Sequence, residues 1–189
     1  MLSDLTARVS IIPVGTKGGD IGVRTTKGDA VNGDSQWRRY RLAQFRVVLV
    51  REGTVPTAWD RQVRASRDVA TLMRPLVAGL DREQFWVLLL NAKNRAIGLN
   101  LVSVGALNTT IVHPREVMKP AILSNAAAVV LVHNHPSGDP APSAEDVALT
   151  QRLWAAGELL GIRVLDHVVV GDDGGYCSLA DQGALGGAK

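Results

Sequence analysis

The chain has 189 residues, of which 46% are apolar and 21% charged, the proportions of a globular protein large enough to bury a core without disulfide or metal staples. Its single cysteine, Cys177, excludes an intrachain disulfide and suits a reducing compartment. The net charge of +3 is uneven, with 13 Lys/Arg against 7 Asp/Glu in residues 1–74 and 8 against 11 in the remainder. Met1 to Val14 lacks the basic start and sustained apolar run of a secretory leader, and no apolar run is long enough to span a membrane. A cytoplasmic protein with no membrane contact is expected.

In chain order, residues 1–39 are broken by Gly15, Gly18, Gly19, Gly22, Gly28 and Gly33, and read as a flexible extension with a short strand at most around Val9 to Val14. Gly18-Gly19-Asp20-Ile21-Gly22 lacks the spacing and the strand–helix context of a phosphate-binding loop. The folded domain is expected over residues 40–182, with a frayed end at 183–189. Phe45 to Val50 has a strand pattern, and Gly53 to Trp59 is a turn with Pro56. Ser66 is a credible N-cap for a helix with Asp68 in its first turn. Val69, Leu72, Met73, Leu76 and Leu80 fall at helical spacing, Pro75 bends the last turn, and the helix should end near Gly79.

Phe85 to Leu90 is apolar on both faces and reads as a central strand, with Ala96 to Val104 as its hairpin partner across Ala92–Arg95. A loop follows at Gly105 to Thr110, then an extended pair, Ile111-Val112. Pro114 opens a helix to about Asn125, bent at Pro120. Ala127 to Val132 is a buried strand. Ser143 caps the next helix, with Glu145 and Asp146 where the helix dipole favours carboxylates; Val147, Leu149, Leu153, Trp154 and Leu160 should be buried and Gly161 should end it. Ile162 to Val170 and Tyr176 to Leu179 complete the strands. Strands alternating with helices make the class mixed α/β.

The chemistry concentrates in His133 to Asp146, which holds two histidines, two serines and three acidic residues with a glycine and three prolines between them. At the end of an extended strand, residues two apart point the same way, so His133 and His135 can reach one point. The Pro-rich loop can fold the chain back to bring Asp146 to it. Two imidazole nitrogens and one carboxylate oxygen leave one tetrahedral position open, the arrangement of a catalytic zinc rather than a structural one. Taken singly, these residues have plain explanations: loop histidines are usually just polar, and Ser143 and Asp146 suit a helix cap. Those explanations do not account for His-x-His at the end of a fully apolar strand.

His133, His135, Ser143 and Asp146 match the string His-x-His, seven residues, Ser, two residues, Asp without a gap. That string resembles the JAMM motif of the MPN-domain metallopeptidases. The fuller His133-Asn134-His135-Pro136-Ser137-Gly138, with Pro142-Ser143, is similar to the RadC family, a bacterial branch of that superfamily. Val87 to Arg95, Val112 to Val117, Lys119 to Leu123 and Leu165 to Val168 extend the resemblance over roughly residues 40–182. It implies an MPN fold, a curved mixed sheet flanked by helices. It also implies His133, His135 and Asp146 as ligands of one Zn2+, Ser143 as a stabiliser of the oxyanion, and a glutamate general base near the start of a strand about fifty residues before the histidines. Glu83 fits that place; Glu116, in a helix start, is the rival. Asp139 reads as a turn residue, Glu145 as solvated, His113 and His167 as structural or supporting, and Cys177 as buried.

The resemblance implies a zinc metallopeptidase acting on a peptide or protein. The alternative is a DNA repair or recombination accessory protein with no peptidase role. DNA would then be attracted weakly through the basic first part, where Arg38, Arg39 and Arg41 lie among Trp37 and Tyr40. The helical N-terminal region of full-length RadC proteins has no counterpart in residues 1–39. A silent MPN scaffold is the third reading, and it would need none of the four motif residues.

Overall fold

The computed structural model describes residues 49–54, 62–105 and 112–186. The chain divides into two units, residues 9–50 and a unit that holds residues 51–189; the fold below is that of the second. The expected extension over 1–39, the Val9–Val14 strand, the Arg38, Arg39 and Arg41 group and most of the Phe45–Val50 strand lie outside the described residues. Leu49 and Val50, the last two of that strand, carry no strand structure.

Among the described residues, three helices and five strands follow one another as α1 (Ser66–Val77), β1 (Gln84–Leu90), β2 (Ala96–Val104), α2 (Pro114–Leu123), β3 (Ala128–His135), α3 (Ala144–Leu160), β4 (Arg163–Gly171) and β5 (Tyr176–Ser178). The strands form one mixed sheet in the order β2-β1-β3-β4-β5. β1 runs antiparallel to both β2 and β3, β3 and β4 are parallel across the α3 crossover, and β5 turns back antiparallel to β4. The mixed α/β architecture expected from the sequence is therefore present, with β1 an interior strand. Among the described residues no helix is long and apolar enough to cross a membrane.

The alternation of side chains along the strands divides the core in two. Phe85, Val87, Leu89, Val129 and Leu131 join Val117, Met118, Leu149 and Leu153 on the α2/α3 face. Trp86, Leu88, Leu90, Val130 and Val132 join Val69, Met73 and Val77 on the α1 face. Because both faces are covered, Phe85–Leu90 of β1 and Ala128–Val132 of β3 are apolar without alternation in the sequence.

Several boundaries differ from expectation. The N-cap of α1 is Ala65 rather than Ser66. Asp68 accepts from the backbone N–H of Arg64 at 2.8 Å and of Ala65 at 3.1 Å, which satisfies the helix start from inside its first turn, while Ser66 donates to Asp181 at 2.7 Å. Pro75 is accommodated within α1, which ends two residues later. α2 stops at Leu123, short of Asn125, whose φ of 54° is left-handed. On α3 the buried stripe is Asp146, Leu149, Thr150, Leu153 and Gly157. Val147 and Trp154 are half-buried, and Leu160 is 49% exposed rather than buried. At Gly157 the helix lies close against the chain entering β4, where a Cβ would lie 2.4 Å from the Ile162 carbonyl oxygen and 3.2 Å from the Val164 side chain, and Leu160 lies three residues further on.

Candidate metal centre

β3 continues through His135, three residues past the expected end at Val132. The cause is pairing with neighbouring strands. His133, Asn134 and His135 lie opposite Val169, Val170 and Gly171 of β4, and His133 lies opposite Phe85 of β1. The backbone groups are satisfied whatever the side chains are. The two-residue repeat then turns His133 and His135 towards α3 and Asn134 towards α1.

α3 brings Asp146 to the same point. The Ser143 hydroxyl accepts from the Asp146 backbone N–H at 3.1 Å and donates to Asp146 Oδ2 at 2.7 Å, and the Ser143 N–H donates to the same oxygen at 2.8 Å. This reciprocal cap occupies Oδ2 and leaves Oδ1 turned to His133, 3.4 Å from its Nε2. His135 Nε2 is 2.9 Å from His133 Nε2 and 3.7 Å from Asp146 Oδ2. One ligand atom from each of the three residues lies within 4.8 Å of the others. His133 and Asp146 are buried, while 13% of the His135 side chain remains open, so the cluster has a dry side and a wet side.

The outer ring nitrogens are held as well. His135 Nδ1 donates to the Asp139 carbonyl oxygen at 2.7 Å. A carbonyl only accepts, so the proton sits on Nδ1 and His135 Nε2 carries a lone pair. Asp139 itself shapes the turn, its carboxylate accepting from the Ala141 N–H at 2.9 Å. His133 Nδ1 is 2.8 Å from His167 Nε2, and His167 Nδ1 is 2.5 Å from the Thr150 hydroxyl. Phe85 stacks on His133 and meets His167 edge-on.

The electrostatics match a cation site. Burial alone would push the Asp146 carboxyl up, but bonds from His133, His135 and Ser143 outweigh it and hold the group well below the usual carboxylate range. Asp146 raises the His135 pKa; burial opposes this, and the Asp139 carbonyl and the Glu83 charge add to it. Burial lowers the His167 pKa well below the ordinary imidazole value. Two ring nitrogens 2.9 Å apart beside an ionised carboxylate are well placed to share a cation. Two nitrogens, one carboxylate oxygen and an open side fit the donor set of zinc.

Glu83 lies one residue before β1 and is half-buried. Phe85 pairs with His133, and extending that register by two residues sets Glu83 level with His135. The two residues beside Glu83 are clamped by Asn134, whose side-chain oxygen accepts from the Gln84 N–H at 2.8 Å and whose amide donates to the Arg82 carbonyl at 3.2 Å. Glu116 instead forms surface ion pairs with Lys119 at 2.6 Å and Arg115 at 3.3 Å. His113 caps α2 by accepting from the Arg115 N–H. Glu145 is exposed. Cys177 is half-buried on β5, and burial pushes its thiol up.

Sequence reasoning passed over Thr150 and Asn134. Thr150 stands one turn beyond Asp146, on the same helix face, which is a readable signal. Asn134 sits between the two histidines, and nothing local distinguishes it from a turn residue.

The RadC-like JAB domain profile matches residues 63–184 of this chain, from just before α1 to beyond β5. The chain belongs to the RadC family. Its RadC-family relatives include a UPF0758 protein of Desulforudis audaxviator, 54% identical over 118 residues, which are 62% of this chain and 51% of the relative. A UPF0758 protein of Methanosarcina mazei is 43% identical over 153 residues, 81% of this chain and 66% of the relative. One from Desulforamulus reducens is 50% identical over 123 residues, 65% and 54% respectively. The chain thus spans about half to two thirds of the length of these curated relatives.

Proposed function

We propose that this RadC-family chain is a cytoplasmic zinc-dependent hydrolase that cleaves an amide or isopeptide bond in a peptide or protein. The observation that supports the reading most is the convergence of His133 Nε2, His135 Nε2 and the Asp146 carboxylate at the end of β3, with His135 partly open. Those three residues would hold the ion. When bound, zinc supplies a Lewis acid and lowers the pKa of a water to about 7. Glu83, level with His135, accepts a proton from the attacking water and passes it to the leaving amine. Asn134 keeps that carboxylate on station by holding the peptide groups beside it. Ser143 is exposed at the N-cap and offers its hydroxyl to the carbonyl oxygen as negative charge builds there. In doing so it releases Asp146 Oδ2, which keeps the Ser143 backbone N–H.

The test separates metal from turnover. Glu83→Gln should retain one zinc per chain and lose roughly 10²–10⁴-fold in cleavage of an isopeptide or peptide substrate. His135→Ala should lose both. A purified chain that takes up no stoichiometric zinc would sink the reading at its root.

A further inference from the structure

The bonds behind His133 form a directed chain. Thr150 Oγ1 is 2.6 Å from the Asp146 carbonyl oxygen, one turn back along α3. A carbonyl carries no proton, so two oxygens this close require the Thr150 hydroxyl proton between them. A hydroxyl has only one proton, so Thr150 Oγ1 must accept from His167 Nδ1, 2.5 Å away. A neutral imidazole with its proton on Nδ1 has a lone pair on Nε2. That lone pair faces His133 Nδ1 at 2.8 Å, so His133 Nδ1 donates and His133 Nε2 is left bare, aimed at His135 and Asp146.

We propose that Thr150 and His167 are positioning residues that fix His133 in the Nδ1–H tautomer, so that its Nε2 lone pair is presented to the metal. The inference rests on the reading of His133 as a ligand. The direction starts at the Asp146 carbonyl, so one residue supplies both a ligand oxygen and the acceptor that orients a second ligand. His133, Thr150 and His167 are each fully buried, and Phe85 closes the side of the pair, so water does not compete for these bonds. His135 reaches the same tautomer by a separate route through the Asp139 carbonyl, at the half-open side. A histidine that only filled the core would need partners but no particular direction. Here the direction is imposed from the carbonyl end, and it is the one that leaves His133 able to bind a cation.

The experiment uses the full chain with ¹⁵N-labelled histidine, metal-free and at mildly alkaline pH, where imidazoles are neutral. Long-range ¹H–¹⁵N spectra distinguish protonated from bare ring nitrogens. His133 should show a protonated Nδ1 and a bare Nε2. Thr150→Val removes the hydroxyl at nearly constant shape; it should mix the His133 tautomers and weaken zinc binding by about 10–100-fold. Thr150→Ser should restore both. His167→Gln offers an amide oxygen to His133 Nδ1 and His167→Met, of similar length, does not, so the Gln variant should hold zinc more tightly than the Met variant.

A wild-type His133 protonated on Nε2 would overturn the proposal whatever the zinc affinity. So would a Thr150→Val chain that loses stability but keeps both the wild-type tautomer and the wild-type affinity. A wild-type chain that shows the Nδ1–H form, loses it in Thr150→Val, and yet takes up no zinc would refute the metal reading while supporting the tautomer assignment.

Discussion

Asp146 serves the helix and the site with different oxygens. Oδ2 takes the Ser143 N–H and hydroxyl, closing the N-terminus of α3, while Oδ1 faces His133. The carboxylate therefore stays ionised well into acid. A proton on His135 competes with a metal, and Asp146 raises that group's pKa against the effect of burial. The folded, metal-free chain holds that proton more tightly than the unfolded chain does. Its contribution to stability is fully present below the ordinary imidazole value and is lost as pH rises through the raised one. For metal the sign is opposite. Below the His135 pKa, binding must release that proton, so zinc affinity should fall by at least about tenfold per pH unit, a slope that titration calorimetry in buffers of differing ionisation heat would measure. An affinity that does not change across that range would refute the assignment of His135 as a ligand.

At the scale of elements, the loop after β3 is held against β4 with no room to spare. A Cβ on Gly171 would lie 2.1 Å from the Gly138 carbonyl oxygen, and Gly138 follows the residues that turn the chain towards Asp139 and its bond to His135. Gly171→Ala should therefore cost about 1–3 kcal/mol of stability by overpacking and also weaken zinc binding, since relief requires moving the loop that sets the His135 ring. Thermal melts and zinc titrations would show the two effects together. Beneath the site, Leu131 is fully buried between the layers. Leu131→Ala should cost about 2–5 kcal/mol and leave the ligand geometry to the strand pairing around His133. Chemical denaturation would give the first figure, and retained zinc stoichiometry the second.

For the whole molecule, a ligand that binds only the folded chain adds stability that grows with its concentration. Zinc at a hundred times its Kd should add about 2.7 kcal/mol, and the Tm should fall when a chelator removes it. A Tm that ignores both zinc and chelator would argue against a site closed only by the fold. The three candidate ligands lie on β3 and α3, and His167, which is bonded to His133, lies on β4. Separate proteolytic fragments should therefore not share zinc at the intact chain's affinity.

The sequence alone determined the order of strands and helices, if not every boundary, and pointed to the candidate ligand set. Apolar runs longer than a half-exposed strand allows, helical spacing, and His-x-His followed by Ser and Asp at fixed intervals are local patterns, and local patterns survive in one dimension. It also singled out Glu83, though only through a family resemblance. Only the tertiary structure decided what links distant segments. It set the pairing of Phe85 with His133, which extended by two residues brings Glu83 level with His135, the clamp of Asn134 on the peptides beside Glu83, and the line from the Asp146 carbonyl through Thr150 and His167 to His133. The physical reason is that a hydrogen bond has a direction and a length, and both depend on how the strands and α3 pack, which no spacing along the chain encodes. The same holds for the end of β3, whose polar last residues remain strand because β4 pairs with all three and β1 with the first, His133.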